Sequence, residues 1–250
     1  MLYITLEMAE AKIAERIDAN RLNRNIQTLK EMTKETFLYQ TNKMKEKTKG
    51  RLVIREFPTA SASVVEFRHL LHELKLKKKF KPDIIYVDYI NICTSARLRG
   101  TSNINSYSYV KAIAEELRGL AAEFNCCIIS ATQLNRGGLT NSDPELGDTS
   151  DSIGLTYVAD LILAITTNDD LDQMQRYAIK QLKNRYNNMN FDPKFLIGVD
   201  KSKMRLFDAP FEDQAHLIVE KKKPEEEDVP LLDRQDVGSK FNKSFYQQFK

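Results

Sequence analysis

Short apolar runs of strand length alternate with helical patterns along this chain. The runs occupy residues 2–6, 52–57, 84–88, 126–131 and 160–165. Strands that are separated by helical segments pair in parallel, because a right-handed crossover returns the chain to the same edge of the sheet. We therefore predict an α/β fold with a mainly parallel sheet and helices on its faces.

The clearest helical pattern follows Asn105 and Ser106. Its apolar residues recur at i, i+3, i+4 and i+7 and form one stripe. They are Val110, Ile113, Ala114, Leu117, Leu120, Ala121 and Phe124. A helix here connects the strand at 84–88 with the strand at 126–131 and buries this stripe against the sheet.

Short β patterns replace this alternation after residue 170. They lie at 177–182, 195–199 and 204–207, and the polar stretch 187–190 separates the first two. Closely spaced β runs with polar connections are typical of antiparallel hairpins. The sequence therefore predicts a mixed sheet with antiparallel strands at one edge.

The composition of the chain changes near residue 219. With 42% apolar residues the chain can build one substantial core, which we assign to residues 1–218. Blocks of like charge at 221–228 cannot contribute to a core, so residues 219–250 are predicted to be a charged linker and flexible tail. Aromatic residues interrupt this polarity at Phe241, Phe245, Tyr246 and Phe249. They form either a short helix that docks in a partner's groove or a frayed terminus.

The overall charge and the cysteines exclude several classes of protein. A formal net charge of +3 is too small to require a polyanionic partner, so a nucleic-acid site must be argued locally. Cys93, Cys126 and Cys127 lack the spacing of a metal site, which favours a reducing cytoplasm. No apolar run approaches the roughly 18 residues of a membrane helix, and no signal peptide pattern is present. We therefore expect a soluble cytoplasmic protein with no membrane partner.

Two acidic residues follow predicted strands. Glu7 comes directly after the run at 2–6, and Asp88 ends the run at 84–88. Parallel α/β sheets bind ligands at the carboxyl ends of their strands. In a nucleotide-hydrolysing site, one such acid orients water and the other binds Mg²⁺. The simpler alternatives are a turn-capping role for Asp88 and a helix-entry role for Glu7.

Other polar residues follow the later strands. Gln133 and Arg136 come after the run at 126–131, where an amide either contacts a γ-phosphate or simply belongs to a polar loop. Lys183 and Arg185 share one face of a β run. They either form a solvated edge or reach the triphosphate of a neighbouring subunit.

Two further arginines lie in the polar loop at 94–105. Arg97 and Arg99 follow the strand of Asp88, so they lie on the ligand side of the predicted sheet. They are candidates for contacts with the phosphates of single-stranded nucleic acid. A flexible, solvated loop is the alternative.

Four short segments occur in a fixed order along the chain. They are Tyr-Ile-Thr-Leu-Glu-Met at 3–8, Ile-Ile-Tyr-Val-Asp-Tyr at 84–89, Thr-Gln-Leu-Asn-Arg at 132–136 and Lys-Asn-Arg at 183–185. Together they resemble the DnaB-like replicative DNA helicases, and the tract at 107–120 resembles the T-even phage members of that family. The similarity covers about residues 1–208.

This resemblance implies a RecA-like ATPase core that forms a hexameric ring around single-stranded DNA. Such a ring uses ATP and Mg²⁺ to translocate and to unwind duplex DNA. By motif, Glu7 resembles the catalytic glutamate, Asp88 the Walker B aspartate that acts through Mg²⁺, and Gln133 the γ-phosphate sensor. Lys183 and Arg185 resemble the pair inserted into the adjacent subunit's site, with Arg185 as the arginine finger.

The resemblance also implies DNA contacts and protein partners. The stretch at 147–154 aligns with the loop that holds DNA in the central channel, which makes Ser150, Asp151 and Gly154 candidates for DNA contacts. The cellular family usually has an arginine where this chain has Ser150. Arg136 is a further candidate for DNA binding. A primase and a helicase loader are the partners that the family implies.

One expected element has no counterpart in the sequence, because it contains no G-x-x-x-x-G-K-[ST] phosphate loop. In the family this loop precedes the strand that carries the catalytic glutamate, and its own strand lies beside the one at 126–131. That strand is therefore expected to have an unpaired edge. We expect the C-terminal motor portion of a helicase, which needs an upstream phosphate-loop polypeptide and is inactive alone.

Two other functions remain open from the sequence. One is another RecA-like DNA-dependent ATPase, such as a recombinase, which an unwinding assay on forked duplex would distinguish. The other is an inactive interaction module. The joint presence of Glu7, Asp88, Gln133 and Arg185 argues against the module, because a purely structural domain does not need all four polar groups at strand ends.

Overall fold

The computed structural model describes residues 1–99, 105–133, 145, 153–189 and 193–214. The described residues belong to one compact unit, Met1–Gln214. The predicted linker and tail at 219–250 lie outside the described residues, so the boundary near residue 218 stays a prediction. Within the described part of the chain, no helix is both long enough and apolar enough to cross a membrane.

The described elements alternate between strands and helices in the first half of the chain. The strands are β1 (Leu2–Thr5), β2 (Val53–Glu56), β3 (Ile84–Asp88), β4 (Cys127–Ser130), β5 (Leu161–Thr166), β6 (Arg176–Asn184), β7 (Lys194–Asp200) and β8 (Arg205–Asp208). The α-helices are α1 (Glu10–Leu22), α2 (Ile26–Lys30), α3 (Lys34–Lys47), α4 (Val64–Lys78), α5 (Ser106–Phe124), α6 (Ile153–Val158) and α7 (Asp169–Gln173). Short 3₁₀ turns occur at Ile90–Ile92 and Lys201–Lys203.

A parallel sheet forms from the first four strands in the order β2-β1-β3-β4. The strands predicted near 2–6, 52–57, 84–88 and 126–131 are confirmed. Alternate residues of the two central strands point into the core, where Leu2, Ile4, Ile85 and Val87 are buried. The α/β class is confirmed, because this period of two matches a sheet with helices packed on it.

The helix predicted after Asn105 is α5, and its apolar stripe faces the core. The Asn105 side chain accepts a hydrogen bond from the Ser108 N–H, and Asn125 ends the helix in the left-handed conformation. The buried residues of the stripe are Val110, Ile113, Ala114, Leu117 and Leu120. Phe124 packs against the same core from a partly buried position.

The remaining strands form a separate antiparallel sheet in the order β5-β6-β7-β8. The predicted hairpins are confirmed, but their attachment to an edge of the parallel sheet differs from the prediction. The run at 160–165, which we grouped with the parallel strands, pairs antiparallel with β6. Among the described residues no strand joins β4 to β5, so each of these strands ends its own sheet.

Candidate active site

Glu7 and Asp88 meet at the carboxyl edge of the parallel sheet. Thr5 lies opposite Asp88 in the register of β1 and β3, and the Leu6 N–H donates to the Asp88 carbonyl over 2.9 Å. Glu7 and Asp88 therefore lie at the same edge of the sheet, the edge where α/β proteins bind ligands.

A rigid turn carries Glu7 out of β1. Thr5 is fully buried; its Oγ1 donates to the Met8 carbonyl over 2.8 Å and accepts from the Met8 N–H over 3.0 Å. Thr59 Oγ1 donates to the Leu6 carbonyl over 2.6 Å. These bonds fix the backbone on both sides of Glu7, while its side chain is exposed. The carboxylate can therefore face solvent from a fixed position.

Tyr3 holds the Asp88 carboxylate, a contact that our sequence analysis missed. The Tyr3 hydroxyl donates to Asp88 Oδ2 over 2.8 Å, and the Tyr3 ring stacks on Tyr86 with 5.9 Å between ring centroids. Burial raises the pKa of Tyr3 well above its ordinary value, and the hydrogen bond to Asp88 raises it further. The phenol therefore stays protonated at neutral pH and acts as a donor to Asp88.

We expect Tyr3→Phe to lower the free energy of unfolding by about 1–2 kcal/mol, because it removes a hydrogen bond to a charged group. Urea unfolding at neutral pH measures this change. Tyr86→Phe is the matched control: it keeps the stacked rings and removes a hydroxyl that makes no hydrogen bond to the described residues. Equal losses in the two variants would contradict a specific Tyr3–Asp88 interaction.

Gln133 belongs to the same edge of the sheet. Its Nε2 lies 3.4 Å from the hydroxyl oxygen of Tyr89, the residue that follows Asp88. The end of β4 is tied to the turn after β3, since the Ile90 N–H donates to the Ala131 carbonyl and Thr132 Oγ1 donates to Asn91 Oδ1. The structure thus brings together the ends of three strands, as the sequence predicted. The exposed carboxylate of Glu7, the half-buried carboxylate of Asp88 and the amide of Gln133 follow these strand ends.

Lys183 and Arg185 form a second group at the end of β6. Arg185 Nη1 donates to Asp160 Oδ1 over 2.6 Å and Nη2 donates to the Tyr157 carbonyl over 3.0 Å. The Lys183 ammonium donates to the Thr156 carbonyl at the end of α6. The structure therefore places Lys183 and Arg185 beside Asp160. It does not place them beside Glu7 and Asp88, the acids at the edge of the parallel sheet. Sequence analysis did not identify Asp160, although its position directly before a strand is a usable signal.

Arg97 and Arg99 are paired with carboxylates instead of projecting freely from a loop. Arg97 bonds Glu115 over 2.6 Å and lies 3.4 Å from Glu116, and Arg99 bonds Glu66 over 3.2 Å. Glu116 also accepts from the Ser95 hydroxyl and the backbone N–H groups after it, which anchors this loop to α5. A DNA phosphate would compete with these carboxylates, and the predicted DNA contacts stay predictions.

The other predicted DNA contacts have little or no structural description. Arg136, Ser150 and Asp151 lie outside the described residues. Gly154 is the second residue of α6, and a Cβ there would lie 2.7 Å from Lys111 Cβ on α5. Close packing between the helices is therefore a sufficient reason for this glycine, and its DNA contact stays a prediction.

Solved structures with this architecture define the class of the domain. One of them, an ATPase domain, matches with a TM-score of 0.66 at 19% identity, over 84% of this chain and 75% of that chain. The structure of a DnaB-like replicative helicase and its interactions with primase matches with a TM-score of 0.65 at 19% identity, over 84% and 50%. These likenesses show that the fold is RecA-like.

Sequence relatives then identify the family. The family of the DnaB-like helicase C terminal domain matches residues 1–204, and this chain belongs to it. The DnaB-like replicative helicase of Enterobacteria phage T4 is 42% identical over 208 residues, which are 82% of this chain and 44% of the relative. A probable plasmid replicative DNA helicase of Chlamydia trachomatis is 28% identical over 204 residues, which are 77% and 42%. The chain thus spans less than half the length of these relatives. The predicted membership of the DnaB-like helicase family is confirmed.

Proposed function

We propose that this chain is the C-terminal motor portion of a ring-forming, ATP-dependent replicative DNA helicase that translocates on single-stranded DNA and unwinds duplex. The observation that carries the proposal is the junction of β1 and β3, where the Leu6–Asp88 hydrogen bond brings Glu7 and Asp88 to one edge. Membership of the DnaB-like helicase C terminal domain family supports the same function.

The carboxylates fit a magnesium–triphosphate ligand. No cluster of three or more metal-binding side chains occurs among the described residues, and Mg²⁺ beside a nucleotide needs only one or two carboxylates in addition to phosphates and water. Tyr3 donates to Asp88 Oδ2, and the Asp88 carboxylate would hold the ion directly or through water. When bound, Mg²⁺ supplies charge neutralisation for the phosphates.

Glu7 and Gln133 have the other two roles in ATP hydrolysis. Glu7 orients the attacking water and accepts its proton from an exposed position on a fixed turn. Gln133 donates from its amide to the γ-phosphate. Gln133 also lies beside Tyr89, the residue that follows Asp88, so its contact with the phosphate is linked to the position of Asp88 in the chain.

Lys183 and Arg185 act on the nucleotide of the neighbouring subunit. Among the described residues, Lys183, Arg185 and Arg118 surround one carboxylate, that of Asp160, so these residues keep an excess of positive charge at the end of β6. A triphosphate supplied by an adjacent subunit would balance that excess. A homo-hexameric ring presents such a site at every interface.

The phosphate loop comes from a polypeptide that also covers apolar surface on β4 and β5. Ile129 is 43% exposed, and Leu161, Leu163 and Ile165 are between 46% and 58% exposed. The latter three alternate along β5, so one face of that strand lacks cover from the described residues. A strand and helix that carry the G-x-x-x-x-G-K-[ST] loop would bury this surface, and without them the chain is inactive.

DNA contacts and protein partners complete the proposed assembly. The loop at 147–154, with Arg136 and the paired Arg97 and Arg99, binds single-stranded DNA. A primase and a helicase loader act with the ring, and the tail at 219–250 is the candidate docking segment for the loader. The assembly works in the cytoplasm of its host cell, and its family relative in phage T4 suggests a phage origin.

ATP turnover and DNA unwinding test this proposal. The complete subunit, defined as this chain together with the polypeptide that carries its phosphate loop, is identified from the coding sequence upstream of Met1. We expect no ATP turnover from the chain alone, and DNA-stimulated turnover with unwinding of a forked duplex from the complete subunit. Robust turnover by the chain alone would refute the need for the second polypeptide. Turnover without unwinding would indicate the recombinase-like ATPase, and no turnover by the complete subunit would indicate the interaction module.

A further inference from the structure

Asp160 accepts hydrogen bonds from two of the cations at the end of β6, Arg185 and Arg118. Its Oδ1 accepts from Arg185 Nη1 over 2.6 Å and from Arg118 Nη1 over 3.0 Å, and its carbonyl accepts from the Arg185 N–H over 2.9 Å. Arg185 is therefore attached to Asp160 through both its side chain and its backbone. The mechanism proposed above assigns no role to this aspartate.

The end of α6 supplies the other acceptors of this group. The carbonyls of Thr156, Tyr157 and Val158 accept from Lys183, Arg185 and Arg118, in that order. Carbonyls in the last turn of a helix have no partner within the helix and attract cations. The guanidinium of Arg185 is thus held between one carboxylate oxygen and one carbonyl, which defines its plane.

Geometry and charge indicate that Asp160 orients Arg185 and does not neutralise it. The Asp160 and Arg185 side chains are 38% and 35% exposed, so the pair is accessible from solvent. Arginine has five N–H donors, and the two side-chain bonds that Arg185 makes to described residues leave others for phosphate oxygens. Because Arg118 and Lys183 add positive charge, the Asp160 carboxylate orients Arg185 without cancelling the charge of this group of described residues.

We infer that Asp160 is a positioning residue, which holds the Arg185 guanidinium in the direction that reaches the triphosphate of the neighbouring subunit. The inference rests on the proposed function, because it needs Arg185 to act across a subunit interface. Without the carboxylate, the long arginine side chain samples several rotamers and loses its alignment at each catalytic cycle. The expected consequence is slower turnover with little change in ATP binding.

Rings of two kinds of complete subunit test this inference. A donor subunit carries Glu7→Gln, so it hydrolyses no ATP but supplies Arg185 to its neighbour. An acceptor subunit carries Arg185→Ala, so it keeps its own Glu7 but supplies no finger. Turnover in the mixture then comes only from acceptor sites that face a donor, and Asp160→Asn can be placed in either subunit.

We expect Asp160→Asn to lower kcat about ten- to a hundredfold when it is in the donor, with KM for ATP within about twofold. The same change in the acceptor should leave turnover unaltered, because that subunit has no finger to position. Asp172→Asn in the donor is the matched control, since Asp172 of α7 also pairs with a cation, Lys201 of the 3₁₀ turn between β7 and β8. Equal effects in donor and acceptor would indicate a merely structural role, and faster turnover from the donor variant would indicate an inhibitory contact; either result overturns the inference.

Failure of the proposed function gives a different result in the same experiment. If donor and acceptor subunits without Asp160→Asn show no turnover when mixed, hydrolysis across the interface is refuted. The inference about Asp160 is then refuted as well. A second measurement concerns the contact itself in the 250-residue chain. Nitrogen NMR of the Arg185 side chain, assigned with Arg185→Lys, should show proton exchange with solvent that is about tenfold faster in Asp160→Asn. Unchanged exchange would overturn the inference whatever the mixed rings show.

Discussion

Glu7→Gln in the complete subunit is expected to lower kcat for ATP about 10²- to 10⁴-fold, because glutamine cannot accept a proton from the attacking water. ATP binding should persist, since the variant keeps the shape of the side chain and leaves Asp88 and its Tyr3 contact unchanged. Steady-state phosphate release measures kcat, and binding of a fluorescent ATP analogue measures affinity.

The control for this prediction is Glu35→Gln, which changes an exposed acid in the first turn of α3. Its turnover should match that of the unmodified subunit. If Glu7→Gln keeps more than about a tenth of normal turnover, Glu7 is not the general base, and its position on the turn after β1 has only a structural meaning.

Arg185→Ala is expected to cause the largest loss, about 10³- to 10⁵-fold in kcat, because an arginine finger stabilises the charge that develops on the transferred phosphoryl group. Arg185→Lys should recover little of it, since a lysine cannot reproduce the planar fork of donors. The assay is ATP turnover by assembled rings at saturating nucleotide and single-stranded DNA.

Arg205→Ala on β8 is the matched control, as it removes an exposed arginine from the same antiparallel sheet. Rings should assemble equally well from both variants, which sizing by light scattering can establish. Normal turnover of assembled Arg185→Ala rings would refute action in trans, and loss of assembly would show instead that Arg185 holds the subunits together.

Local patterns predicted the parallel strands and α5 correctly for a physical reason. A strand buried on one face alternates with period two, and a helix on a sheet buries residues three and four apart, so both signatures are written in neighbouring residues. The same reasoning placed Glu7 and Asp88 together, because carboxyl ends of parallel strands share one edge. The register of β1 with β3 agrees with that expectation.

These local sequence patterns did not predict contacts between residues that are distant in the chain. The Tyr3 hydroxyl bond to Asp88 joins residues on separate strands, and the carboxylates that pair with Arg97 and Arg99 lie on α5 and α4. Charge alone therefore suggested two DNA contacts, and it did not predict that the fold pairs both arginines with carboxylates. The pairing of β5 with β6 in a separate sheet was missed for the same reason, since an apolar run does not specify its neighbour.

The amino-acid sequence by itself determined the α/β class, the order of strands and helices, the membership of a helicase family and the residues that end each strand. These properties depend on local periodicity and on motif order. Only the tertiary structure decided which groups hold those residues: Thr5 and Thr59 fix the turn of Glu7, Tyr3 holds Asp88, and Asp160 holds Arg185. Hydrogen bonds between distant segments form when the packed core sets their distances, and no pattern of neighbouring residues encodes those distances.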